Sequence, residues 1–257
     1  MTNLLIAELK RTWIQTLRYP SEVVGGVVIL TAVFYGIFLS TQYVAGPAST
    51  FGDRLDAVVV GYVIWTLVLY IVNDIANNLQ LEAQTGTLEQ VFLSPFGASK
   101  VFLVRAIASL SLRILLIGIV LAIIIAITGS QLAFPPILLL PLATLLLSAY
   151  GLAFFIGAFA LVLKKVQQVL GLFQFVLLFL LAAPTEDLSG SARIAANLLP
   201  ILPSTGLLRD LMAKGEGLNW QEWLVALANG LIYFALGILV FRWAESRAKR
   251  QGSLGGY

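Results

Sequence analysis

The chain has 257 residues, 59% of them hydrophobic and 11% charged, where a soluble domain carries roughly 25% charged residues; its mean hydropathy is +0.93. Cysteine and histidine are both absent, which excludes disulfides, thiolate and imidazole metal sites, cysteine nucleophiles and the usual neutral-pH general base. The net charge of +3 is spread over short loops, so it reads as membrane topology and gives no case for a nucleic-acid partner.

In chain order, residues 1–19 are amphipathic. Leu5, Ile6, Leu9, Trp13 and Leu17 fall on one arc of a helical wheel, with Glu8, Arg11, Gln15 and Arg18 opposite. This predicts a helix lying in the membrane surface, either as a plain anchor or as a docking element for a partner. Its interleaved charges do not match a signal peptide. Tyr19-Pro20-Ser21-Glu22 then opens a new helix, with Pro in the first turn and polar residues suited to the exposed amides. An uncharged run from Val23 to about Tyr43 is long enough to cross a core of ~30 Å. Further spans are expected at about 57–79, 101–127, 137–162, 166–183 and 221–242, giving six transmembrane helices in one all-α domain covering 1–257.

With both termini placed in the cytoplasm, the inner side holds Lys10, Arg11, Arg18, Lys100, Arg105, Arg113, Lys164, Lys165, Arg242, Arg247, Lys249 and Arg250. The outer side holds Arg54, Arg193, Arg209 and Lys214. That bias predicts a multi-pass inner-membrane protein with cytoplasmic termini. The outer connection 184–219 contains Pro184, Pro200 and Pro203 and a run too short to cross, so short interfacial or re-entrant helices are expected there. Ser189-Gly190-Ser191 reads as a turn, since a serine nucleophile has no histidine to activate it.

The inner loop between the second and third spans is long and polar. Within it Leu81, Leu88 and Phe92 would share one helical face and Glu82 and Glu89 another, with Gly86 permitting a bend and Ser94-Pro95 ending the helix. No G-x-x-x-x-G-K-[ST] phosphate loop occurs, so any use of ATP has to come from another chain.

Glu82, Gly86-Thr87-Leu88-Glu89 and Ser94-Pro95 resemble the E-x-x-x-G-T-L-E…[ST]-P signature of ABC-2 type transporter permeases. The Arg18-Tyr19-Pro20 step and the late Leu199-Pro200…Leu207-Leu208-Arg209 segment are similar as well, although Ser204 and Thr205 follow Pro203 where the family often has Tyr or His. The resemblance implies a permease subunit, usually a homodimer, that pairs with two cytoplasmic ATP-binding subunits. ATP and Mg would be held by those subunits, and this chain would bind no cofactor or metal and catalyse nothing. Glu82, Gly86, Thr87, Leu88, Glu89 and Phe92 would belong to a coupling helix region, 82–95, seated on the ATPase, with Lys164 and Lys165 as a second contact. Residues 1–19 would be the connecting helix. Alternating access would then follow from nucleotide-dependent spacing of the ATPase subunits.

Two polar sets lie at membrane depth. Tyr62, Thr66, Asn73 and Asn77 on the second span, and Gln167, Gly171 and Gln174 on the fifth, recur at helical spacing. Since the family places these spans near the dimer axis, Tyr62, Thr66, Asn73 and Gln174 are expected to face the substrate; interhelical packing is the alternative. Asp74 invites an ion pair with Arg105 by depth, read as structural before a proton relay. The function expected is an exporter of an amphipathic or lipid-like solute such as a drug, lipid or glycolipid, or of a lipid-linked polysaccharide. An ion-coupled carrier would place charges near the middle of several spans, and only Arg113 approaches that depth.

Overall fold

The computed structural model describes residues 2–45, 52–94, 96–163, 166–182 and 190–251, and these form α-helices joined by turns, with no strand among them. The order is α1 (Thr2–Arg18), α2 (Pro20–Ala45), α3 (Gly52–Gln84), α4 (Leu88–Phe92), α5 (Ala98–Thr128), α6 (Leu139–Leu163), α7 (Val166–Ala182), α8 (Gly190–Leu198), α9 (Leu202–Met212) and α10 (Trp220–Gln251). Five of them, α2, α3, α5, α6 and α10, are long and apolar enough to cross a membrane. The chain is a multi-pass membrane protein. Helix α7 has 17 residues.

Local chemistry sets the boundaries. Pro20 stands at the start of α2, where its missing N–H leaves no helical bond unmade. Gly129 ends α5 in a left-handed conformation, φ 72°, with its N–H on the Ile125 carbonyl at 2.9 Å. The Pro135-Pro136 pair then leads through a tight turn into α6.

The centre of the bundle is α3, α6 and α10. Helices α6 and α10 meet backbone to backbone: a Cβ on Gly237 would stand 2.1 Å from the Gly151 carbonyl oxygen, and one on Gly151 would stand 2.4 Å from the Tyr233 carbonyl. Small residues permit this approach, and van der Waals contact along the seam replaces the hydrophobic driving force that lipid does not supply. Phe241 of α10 fills the space beside it, edge-on to Phe154 at 5.3 Å between ring centroids. Helix α2 lies at the flank with most of its surface uncovered.

The bundle has two distinct ends. Helix α4 follows the C-terminal end of α3, whereas Arg209 of α9 reaches Gly61 in the N-terminal half of α3. Helix α1 joins α4 at its end through Arg105, and so does the last part of α10, because Lys249 donates to the Phe92 carbonyl at 3.3 Å. The first and last described helices therefore share one end. At the other, two short helices, α8 and α9, lie in the segment from Pro184 to Asn219 where short interfacial or re-entrant helices were expected, and residues 183–189 lie outside the described residues.

Candidate functional site: a charged collar around the α3–α4 turn

At Gly86, where the sequence permits a bend, the chain turns sharply. Helix α3 runs to Gln84, Gly86 takes φ 72°, and α4 resumes at Leu88. The Thr87 N–H donates to the Glu82 carbonyl at 2.9 Å, and the Thr87 hydroxyl donates to the Glu82 carboxylate. Thr85 caps the same turn through its hydroxyl on the Leu81 carbonyl at 2.8 Å. A left-handed residue is needed to close this reversal, and glycine supplies it without a Cβ penalty.

The break separates residues that a single helix would have placed together. Leu81 is 56% exposed while Phe92 is 4% exposed, so these two do not share the face expected for them. The side chains of Leu88 and Glu89 lie outside the described residues, as do Lys164 and Lys165 entirely.

Glu82 turns inward. Its carboxylate accepts from Arg105 Nη1 at 2.5 Å, and Arg105 Nε donates to Glu8 of α1 at 3.0 Å. These side chains are 13–17% exposed. One guanidinium thus ties α1, the α3–α4 turn and α5 together, a task for which its planar set of donors suits Arg better than Lys. Glu8 also meets Arg11 at 3.5 Å. From the far side, the Lys249 ammonium stands 5.4 Å from the Phe92 ring centre and within 2.8 Å of Glu245.

Arg105 is therefore not the partner of Asp74. With both of its faces held by Glu8 and Glu82, it leaves Asp74 to accept from Ser109 Oγ at 2.7 Å. Asp74 lies about two turns further along α3 from Glu82, which is why equal depth misassigned the pair. Arg113, one step deeper on α5, stacks on the Tyr70 ring at 4.5 Å.

The polar stripe divides as well. Tyr62 donates to the Leu30 carbonyl of α2 at 2.6 Å and packs edge-on to Phe34; it is 6% exposed, and Thr66 is buried too. Both are buried within the bundle in this structure, Tyr62 against α2. Asn73 and Gln174 do come together, with Gln174 Nε2 donating to Asn73 Oδ1 at 3.5 Å between α7 and α3.

Three features escape a reading of the sequence. Arg209 is buried and donates to the Leu181 carbonyl at the end of α7, a helix terminus that favours a cation. Ile201, fully buried, has φ 73°, and its N–H is satisfied by Ser148 Oγ at 3.0 Å. Asn229 of α10 donates to the carbonyls of Asn197 and Leu199 at 3.0 and 3.1 Å. The repeat of Gly230, Gly237 and Ala244 every seven residues on α10 is the signal that could have located the seam beneath them.

The sequence model of the family described as ABC-2 family transporter protein matches residues 38–243. Among curated proteins no match is found.

Proposed function

The chain belongs to the ABC-2 family of transporter proteins, and from that premise we propose that it is the permease subunit of an ATP-binding cassette exporter moving an amphipathic or lipid-like solute outward. It is a transporter component without a catalytic domain. ATP and Mg belong to two copies of a cytoplasmic ATPase, which seat against a homodimer of this chain. The single domain has six spans: the 17 residues of α7 rise about 25 Å, close to the ~30 Å hydrocarbon core. Both termini face the cytoplasm of a cell whose inner membrane holds the protein, in keeping with the excess of Lys and Arg at the α4 end.

The observation that carries this reading is the α3–α4 turn. It lies at the end of a long central helix, is tied to α1 and α5 by one arginine, and presents exposed Leu81, Leu93 and Phe96 beside Gln84 and Gln90. Exposed apolar residues beyond the spans mark a protein-binding surface. The ATPase docks on that surface together with Glu89 and Lys164-Lys165, while Glu82 acts one step behind it, passing the displacement through Arg105 into α5 and α1. Asn73 and Gln174 remain as the polar pair on the substrate path, where α7 meets α3.

Purification of the native complex from membranes tests this. An ATPase co-purifies with the parent chain, is lost from Leu93→Asp, and is retained by Glu82→Gln, in which hydrolysis no longer drives transport. Absence of any ATPase from the parent complex, or undiminished assembly of Leu93→Asp, contradicts the docking assignment.

A further inference from the structure

A cavity of about 450 Å³ lies where α1 bends into α2, bounded on its other sides by α3 and α5. Its walls are graded. At the elbow it is lined by Gln15, Thr16, Tyr19 and Glu22, with Tyr70 and Arg113 opposite. Further along the same helices the lining becomes Val27, Leu30, Leu116 and Val120. Leu30 is eight residues beyond Glu22 and Val120 seven beyond Arg113, so the apolar part extends about 10–12 Å deeper along both helices. The Tyr62 hydroxyl on the Leu30 carbonyl braces that deep end.

Arg113 is the unusual group. It sits over the Tyr70 ring, which attracts a cation without neutralising it. Among the described residues no carboxylate stands within ion-pair distance of it, and Asp74 directs its Oδ2 to Ser109. Glu22 lines the same cavity and likewise has no ion pair among the described residues. A cation and an anion sharing one polar chamber, with a hydrocarbon-lined slot below, match a molecule that has a phosphate, an ammonium and an acyl chain.

We infer that this elbow cavity binds a phospholipid with a phosphoethanolamine head. The phosphate meets Arg113, whose fork of donors suits two phosphate oxygens. The ammonium meets Glu22, and an acyl chain lies along Val27, Leu30, Leu116 and Val120. Helix α2 is the least covered span, with Val24 and Val28 each about 60% exposed, so the cavity opens beside a helix that the rest of the chain leaves accessible to lipid. The site is separate from the Asn73–Gln174 pair, which lies between α3 and α7.

Native mass spectrometry of the purified full-length chain, titrated with dioleoyl phosphatidylethanolamine, dioleoyl phosphatidylglycerol or inorganic phosphate, tests the assignment without any partner subunit. The parent retains phosphatidylethanolamine in preference to phosphatidylglycerol. Arg113→Gln weakens it about tenfold, the equivalent of one charge-assisted hydrogen bond. Glu22→Gln still binds lipid but loses the preference between the two heads. Val27→Trp, which keeps both charges and fills the slot, weakens both lipids and serves if Arg113→Gln does not fold. Unchanged binding in Arg113→Gln and Val27→Trp overturns the site. Retention of the preference in Glu22→Gln overturns the phosphoethanolamine assignment, and competition by inorganic phosphate at equal concentration makes it a free-anion site instead.

Discussion

Towards the α9 end, α6 and α10 are joined to each other and to residues 197–201 by neutral hydrogen bonds and by backbone in contact with backbone, whereas at the α4 end the joints are long charged side chains. Ser148, Asn229 and the Gly151–Gly237 approach leave almost no slack. Arg105, Glu8, Glu82 and Lys249 reach across gaps with side chains that have several rotatable bonds. Packed backbone moves as one body, because close-packed interiors resist small displacements. Links through long side chains can follow a displacement by changing rotamer, even where, as at Arg105, the pair is mostly buried. Under the function proposed above, the α6–α10 seam would serve as the rigid lever and the collar around the α3–α4 turn as the place where the ATPase engages it.

The seam gives the largest effect. Gly237→Ala places a methyl against the Gly151 carbonyl and is expected to cost about 4 kcal/mol or more, since neither side of the contact is a flexible side chain. Thermal melting in detergent checks it; a melting temperature equal to the parent's would mean the two helices do not meet this closely. Ser148→Ala is next. It removes the acceptor for the N–H of Ile201, a buried residue in a left-handed conformation, at a cost of roughly 1–3 kcal/mol. The same melt measures it, and Ser148→Thr, which keeps the hydroxyl, recovers part of the loss. Lys249→Met has the smallest effect, below about 1 kcal/mol, because the side chain is 42% exposed and its contacts with Glu245 and the Phe92 ring are solvent-screened. A loss as large as that from Ser148→Ala would erase the contrast between the two ends.

Much of this was legible along the chain. The amphipathic wheel of α1 and the long uncharged runs are recorded in local periodicity and length, so the helices fall where these predict. Gly86 was legible as a bend, yet the sharpness of the turn depends on Thr85 and Thr87 competing for the carbonyls of Leu81 and Glu82. Arg105 illustrates what was not legible. Its partner Glu8 is 97 positions away, and equal depth in the membrane cannot rank Glu8 or Glu82 above Asp74 when all three acids sit near one end. The surroundings of Tyr62 were not legible for a related reason. Helical spacing tells which arc a polar residue occupies but not which neighbour covers it, and here α2 covers it with the Leu30 carbonyl.

The central claim is that Arg105 binds α1 to the α3–α4 turn. The chain has no cysteine, so cysteines introduced at the exposed positions Lys10 and Gln84 take spin labels without background. Distances between them can be read by pulsed electron resonance in lipid, diluted with unlabelled chain. One narrow distance is expected in the parent and a broad, longer distribution in Arg105→Gln, where Glu8 and Glu82 lose their shared cation. An unchanged narrow distance in Arg105→Gln would contradict the account.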